Sequence, residues 1–296
     1  TDHSLWVDPP FYDVPKFMVV EGGYQDAEQL SSTLKDMGYH TSAHNGVTYY
    51  RWLLGDVMNL RRIQELRTNA SLNFGLNTIA PIGEKLILSQ REEWTKNLIE
   101  VHQGSRLSLY DLKHYRELAQ AVGDEALAGA FVAPEFVEWT WTDMGVKPIE
   151  HLERYTSGPD AWSDLEPYTV AIVGNGVRNG VVNTIVALHY SDPSGAERNA
   201  QELKRRWDSA KFQAEEVRVF PPPVKDPFAG ICTPLETRTT AVGQSSILIG
   251  TCGTSEHRVV GGPMLDGLHS WYALMEYKEL HFLIPNLEEV IHAAAK

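Results

Sequence analysis

The sequence predicts an α+β protein of two related units, each with a mostly antiparallel sheet packed by helices. Three observations carry this. Runs rich in β-branched and aromatic residues are joined by short glycine-containing turns, without the regular helical crossovers of a doubly wound sheet. Amphipathic segments with cap residues stand between them. The order strand, helix, extended segment, hairpin also occurs twice. Phe17-Met-Val-Val20, a turn and Ala27 to Leu34 match Thr184-Ile-Val-Ala-Leu188, a turn and Ala196 to Leu203, about 168 residues further on. Gly83-Glu-Lys-Leu-Ile-Leu88 matches Gly243-Gln-Ser-Ser-Ile-Leu-Ile249 at an offset of about 160. An internal duplication is therefore expected.

The chain divides into an extended lead-in (1–16), a first α+β unit (17–133), a connecting segment (134–167) and a second α+β unit (168–296). The lead-in holds Pro9, Pro10 and Pro15 and shows no period. In the first unit, Phe17 to Val20 reads as a strand. Asp26 caps a helix that Gly38 ends, with Leu30, Leu34 and Met37 on its buried face. Gly46 to Trp52 is extended, and Asn77 to Ser89 is a hairpin turned at Ile82-Gly-Glu84. Helices follow over Glu92–His102 and Leu109–Val122, the second capped by Ser108 and stopped by Gly123.

The connecting segment holds Trp139, Trp141 and Trp162 with little periodicity. The second unit opens on a strand, Tyr168 to Val173, and a turn region with two Asn-Gly pairs. A second strand follows, Val181 to Tyr190. The glycines there invite a dinucleotide-binding reading, but a β-branched strand follows where that fingerprint needs a helix. A hairpin turn is the better reading. Then come a helix over 196–209, a short strand Val217–Phe220, a hairpin over 236–251 turned at Ala241–Gln244, and a final helix near Leu268–Met275.

A net charge of −13 disfavours binding to phosphate backbones, so no nucleic-acid partner is expected. Arg61-Arg62 and Lys204-Arg205-Arg206 read as solvated helix faces. With 8 Trp, 12 Tyr and 9 Phe the chain can bury a large core. No apolar run approaches the ~18 residues a membrane-spanning helix needs. The chain opens on Thr1, read as the mark of a removed leader or a trimmed N-terminus.

The two cysteines, Cys232 and Cys252, flank the last hairpin. A hairpin sets them near one another, as a cross-strand disulfide requires, and closing that loop of about 20 residues is worth about 3 kcal/mol. Two buried free thiols are the other reading. They cannot form a redox Cys-x-x-Cys pair or a four-cysteine zinc site.

No catalytic, metal or cofactor motif is present, so no catalytic residue, metal or cofactor is assigned. His40 and His44 are four apart, but they lie between a helix stop and an extended run and read as surface residues. The pairs Glu92/Glu93, Glu135/Glu138 and Asp160/Asp164 are expected by chance among 39 acids. Trp139, Trp141, Trp162 and Tyr155 are the candidate ligand-binding residues, as an aromatic platform for a sugar or another apolar ligand. Trp139 and Trp141 would share one side of a strand. Packing onto the core is the competing reading.

Gly46 to Trp52, the Asn77–Ser89 hairpin, Ser108 to Ala119 and Ser191 to Trp207 together resemble an uncharacterised group of bacterial extracytoplasmic lipoproteins. The likeness covers about half the chain and its motifs are structural. It implies an extracytoplasmic location and an anchor upstream of Thr1, and it transfers no site residue. The expected function is that of a non-enzymatic cell-envelope protein acting on a protein partner or small ligand, attached to the membrane through an N-terminal segment at most. The alternatives are a small-molecule or glycan binder using the aromatic segment, and a hydrolase whose site is assembled from scattered residues.

Overall fold

The computed structural model describes residues 3–7, 17–21, 26–52, 77–89, 91–123, 126–142, 150–158, 161–178, 181–210, 234–253 and 280–294. It divides into two compact units, Thr1–Ser108 and Leu109–Lys296. The fold is α+β, and every strand pairing among the described residues is antiparallel.

The first unit runs β1 (His3–Val7), β2 (Phe17–Glu21), α1 (Ala27–Asp36), β3 (His40–His44), β4 (Val47–Arg51), β5 (Thr78–Ile82), β6 (Lys85–Ser89) and α2 (Glu92–His102). Its sheet has the order β1-β2-β6-β5-β4-β3. Part of the expected lead-in is therefore a sheet strand: β1 pairs with β2 from His3↔Glu21 to Val7↔Phe17. Asp26 caps α1, its Oδ1 accepting from the amides of Glu28 (2.8 Å) and Gln29 (3.1 Å), which satisfies two of the amides a helix start leaves open. The sequence reading also missed β3. His44 pairs with Val47 across Asn45-Gly46, where φ is +47° and +78°. Those angles belong to a type I′ turn, which matches strand twist.

Helices cover both faces of this sheet. Leu34 of α1 packs with Tyr39, Tyr50, Trp52, Ile79 and Leu88. Ile99 of α2 packs on the opposite face with Tyr49, Ala80, Ile82 and Ile87.

The second unit begins with a 3₁₀ turn at Leu109–Asp111. Then come α3 (Lys113–Val122), β7 (Ala126–Val132), α4 (Pro134–Thr142), α5 (Glu150–Glu153), β8 (Val170–Arg178), β9 (Val181–Tyr190) and α6 (Gly195–Ser209). The hairpin β10 (Glu236–Val242) and β11 (Ser245–Gly253) follows, then a 3₁₀ turn at His281–Leu283 and α7 (Leu287–Ala294). The strand order is β10-β11-β9-β8-β7. The α-helix after Ser108 starts at Lys113 rather than Leu109, with Leu112 in the cap position. The strand before the Asn-Gly pairs runs through Gly174-Asn-Gly176 to Arg178, which pairs with Val181 and leaves Asn179-Gly180 as the connection.

The unit boundary differs from the sequence reading. β7 lies within the expected first unit, yet it pairs with β8 from Ala126↔Gly176 to Val132↔Ala171. Residues 109–133 thus belong to the second unit. The expected connecting segment is also built into this unit: Val137, Leu152, Tyr155 and Leu165 are almost fully buried. The expected strand at 217–220 and helix at 268–275 lie outside the described residues.

A four-strand order recurs in the two sheets, with β4 and β3 beyond it in the first and β7 beyond it in the second. In the first, β1-β2-β6-β5 are neighbours in that order and α1 joins β2 towards the β5–β6 hairpin. In the second, β8-β9-β11-β10 are neighbours and α6 joins β9 towards the β10–β11 hairpin. Both hairpins turn on two residues, Gly83-Glu84 and Gly243-Gln244, with φ +58° and +62° at the glycine. Their faces correspond too. Leu88 and Leu248 pack in the clusters of α1 and α6, while Ile87 and Ile247 pack in those of α2 and α3. Alternation along a strand makes that assignment automatic once the register is set.

The hairpin register bears on the cysteines. Glu236 pairs with Thr251, so the ladder's next step would set residue 235, not Cys232, across from Cys252. The chain leaves the strand direction at a bend on Pro234. Cys252 is buried and is not a free thiol. Cys232 lies outside the described residues, so no cysteine pair is formed among them.

Candidate functional site

The surface made by the 3₁₀ turn, α3 and β7 carries four of the six large apolar side chains exposed among the described residues. Leu109 is 49% exposed, Tyr110 59%, Leu112 38% and Phe131 37%. They are held there because α3 has one buried face only. Leu118 and Val122, with half-buried Tyr115 and Ala121, meet Val170, Ile172, Ile185, Ala187, Ile247 and Ile249 of the sheet. The run Leu107-Ser-Leu-Tyr-Asp-Leu112 then has no second face to enter.

The outer side of α3 fixes the patch. Arg116 sits 5.7 Å above the Tyr110 ring and donates to the Tyr110 carbonyl at 3.1 Å. Gln120 donates to the Tyr110 hydroxyl at 3.4 Å. Tyr115 meets Phe131 edge-on at 5.1 Å and His114 at 4.7 Å. Aromatic rings with arginine beside them are the composition of protein-contact surfaces.

The inner side of α3 carries a buried histidine–carboxylate hydrogen bond. His189 on β9 is 3.0 Å from Glu117 Oε2 through Nε2, and Lys113 Nζ is 3.6 Å from Oε1. Burial raises the Glu117 pKa, but hydrogen bonds from His189 and Ser245 and the Lys113 charge outweigh it, so the carboxyl sits below its ordinary value. With Glu117 ionised, Nε2 carries the donated proton. Nδ1 of His189 is buried with no hydrogen-bond partner among the described residues. The pair fastens α3 to the sheet and so sets where the exposed patch stands.

The predicted aromatic platform is only partly brought together. Tyr155 and Trp162 stack at 3.8 Å with planes 17° apart. His281 stacks on both, at 5.5 Å from Tyr155 and 5.6 Å from Trp162. Arg206 lies 5.3 Å over Trp162, whose Nε1 donates to Ser209. Tyr155 is 1% exposed, and these ring faces are spent on packing. Trp139 and Trp141 lie on α4, a helix, so the expected same-side placement of a strand does not hold for them.

The expected solvated Lys204-Arg205-Arg206 face is also corrected, because Arg206 is fully buried. Its Nε donates to Glu202 at 3.0 Å, one Nη to the Ile284 carbonyl at 2.5 Å and the other to the Ser163 carbonyl. Burial pushes its pKa down and Glu202 opposes that.

The first unit has its own polar clusters. Glu92 accepts from the Tyr49 hydroxyl at 2.5 Å, Arg51 at 2.8 Å and Lys96 at 2.9 Å. Burial would raise its pKa, but these partners win and hold it at about 2. Thr78, Ser89 and Thr95 form a buried triangle of hydroxyls 2.7–2.8 Å apart. His44 meets Glu100 at 2.9 Å, and His40 is exposed. Among the described residues no three metal-ligating side chains gather, and no helix is long and apolar enough to cross a membrane.

No family model, curated protein or solved structure matches the chain. The surface chemistry is therefore the basis for a functional reading. The patch residues went unassigned in the sequence because Leu109–Val122 was read as one helix. The available signal was four large apolar residues in the six positions Leu107–Leu112, more than one helix face buries.

Proposed function

We propose that this is a non-enzymatic extracytoplasmic protein of the cell envelope, acting by contact with another protein chain through the face formed by the 109–112 turn, α3 and β7. One observation carries the reading. Of the six large apolar side chains exposed among the described residues, four stand on this face: Leu109, Tyr110, Leu112 and Phe131. Exposed apolar groups gathered in one place with a polar surround mark interaction surfaces. The oxidising location is supported by Cys252, which is not a free thiol, in a chain whose only other cysteine is Cys232. The common strand order of the two units is in turn best accounted for by duplication of one α+β unit.

The test places a photo-crosslinking residue at Tyr110 in the full chain inside producing cells, with Thr239 on exposed β10 as the control position. Cross-linking to protein from position 110 and not from 239 is expected. Equal yields, or none at 110, overturn the contact reading. Intact mass before and after reduction tests the disulfide, and an unchanged mass removes the support for location.

A further inference from the structure

We infer that the partner on this face presents a carboxylate to Arg116, which takes both oxygens through the open edge of its guanidinium. The inference rests on the contact reading above and names the chemistry of the partner. It starts from where the arginines find their counter-charges. Arg51 has Glu92, Arg106 has Glu100, Arg198 has Glu166 and Asp192, and Arg205 and Arg206 share Glu202. Arg116 has no carboxylate at ion-pair distance among the described residues, in a chain of 39 acids. Its Nη1 donates to the Tyr110 carbonyl at 3.1 Å, and the guanidinium lies 5.7 Å over the Tyr110 ring. The Nε–Nη2 edge donates to no described residue. That edge carries two parallel N–H groups, the fork that fits the two oxygens of a carboxylate.

The apolar setting selects the ligand. Leu112, Arg116 and Gln120 follow one another at intervals of four, so they form one stripe along α3. Tyr110 lies on that stripe, held by Arg116 and by the bond from Gln120. Arg116 is half-buried there, and Leu109, Tyr110 and Leu112 are exposed beside it. A chain that covers those groups takes the open guanidinium edge out of water. Covered donors cost free energy unless the partner supplies acceptors, and a carboxylate is the acceptor that also cancels the charge. Lys113 does not compete for this role, because its Nζ already faces Glu117 at 3.6 Å. The net charge of −13 opposes a broadly acidic partner at long range. What fits is one aspartate or glutamate set among apolar side chains, met by an arginine and a tyrosine, two residue types that anchor protein contacts.

The test is made on the full chain in producing cells, with the photo-crosslinking residue at position 110. Arg116→Gln removes the charge. Arg116→Lys keeps it and sets an amine where the guanidinium stood, which a carbodiimide joins to a carboxylate only at contact distance. Two results are expected. Arg116→Gln should lower capture from position 110 by at least about tenfold. In the Arg116→Lys chain, carbodiimide should couple position 116 to an aspartate or glutamate of the same protein that position 110 captures, as located by peptide mass spectrometry. The coupling reads the carboxylate directly, so the test holds even if Arg116→Gln unsettles the turn. Capture unchanged by Arg116→Gln, or a captured partner with no coupling at position 116, overturns the inference and leaves the contact reading standing. No capture from position 110 with Arg116 in place removes both.

Discussion

The two units share four strands in the same order and a connecting helix on the same face, yet they fasten their helices differently. The first holds α2 with a hydroxyl triangle and the Glu92 cluster, both near the start of that helix. The second holds α3 with a buried His189–Glu117 pair and holds α6 with a fully buried arginine. What agrees between them is apolar alternation, seen in Leu88 and Leu248 or Ile87 and Ile247. What differs is every polar fastening. Architecture here follows from strand register and burial, and each polar network belongs to its own unit.

The largest effect expected within this comparison is at Arg206. Arg206→Ala leaves the Ile284 and Ser163 carbonyls without their buried donor and Glu202 with Arg205 alone, at a cost of about 3–5 kcal/mol. Hydrogen exchange should show the loss in the second unit, with the first unit's amides unmoved. Spread of the loss across both units would break the view that the fastenings are separate. Next come the matched core positions. Leu248→Ala and Leu88→Ala should each cost about 2–5 kcal/mol, with Leu248, fully buried, above Leu88 at 8% exposed. Equal or reversed costs in chemical denaturation would count against burial as what ranks the two positions.

Smaller still are the hairpin glycines. Gly83→Ala and Gly243→Ala force a side chain into left-handed backbone at about 1–2 kcal/mol each, and the two values should agree. The smallest effect is in pH. The Glu92 pKa is lowered from 4.5 to about 2 on folding. Its stabilisation is therefore complete above the unfolded value and is lost as pH falls from about 4.5 through about 2. Glu92→Gln should flatten that acid limb for the first unit, as read by urea midpoints. A slope unchanged by the substitution would assign the limb to other carboxyls.

Much of the sheet was legible because apolar alternation and Gly-x turns are local. The β5–β6 and β10–β11 hairpins, α1 with its Asp26 cap, and α6 all follow from adjacent residues. β3 hid because His-Thr-Ser-Ala-His lies at an edge, where burial imposes no alternation. β7 hid because its alanines favour helix as readily as strand. α4 was misjudged for the opposite reason: Pro-Glu-Phe-Val-Glu-Trp-Thr-Trp-Thr is rich in strand-favouring residues, and its setting overrode them. Of the predicted aromatic site, Tyr155 and Trp162 do come together, but the covering of their faces by Arg206 and His281 was unreadable because those residues are distant in sequence. The exposed patch was readable as an excess of apolar residues ahead of α3.

The bond from Arg206 to the Ile284 carbonyl spans 78 positions, and it bears on the order of synthesis. The first unit has all its described strands once residue 89 has been made. The second cannot satisfy its buried guanidinium until residue 284 has been made. At about 5–20 residues per second that interval lasts about 4–16 s. During it, Arg206 must stay hydrated and the α6 side of the core must stay open. A chain that stops short of residue 284 would therefore carry a first unit with all its described strands and a second unit whose buried guanidinium lacks one of its acceptors.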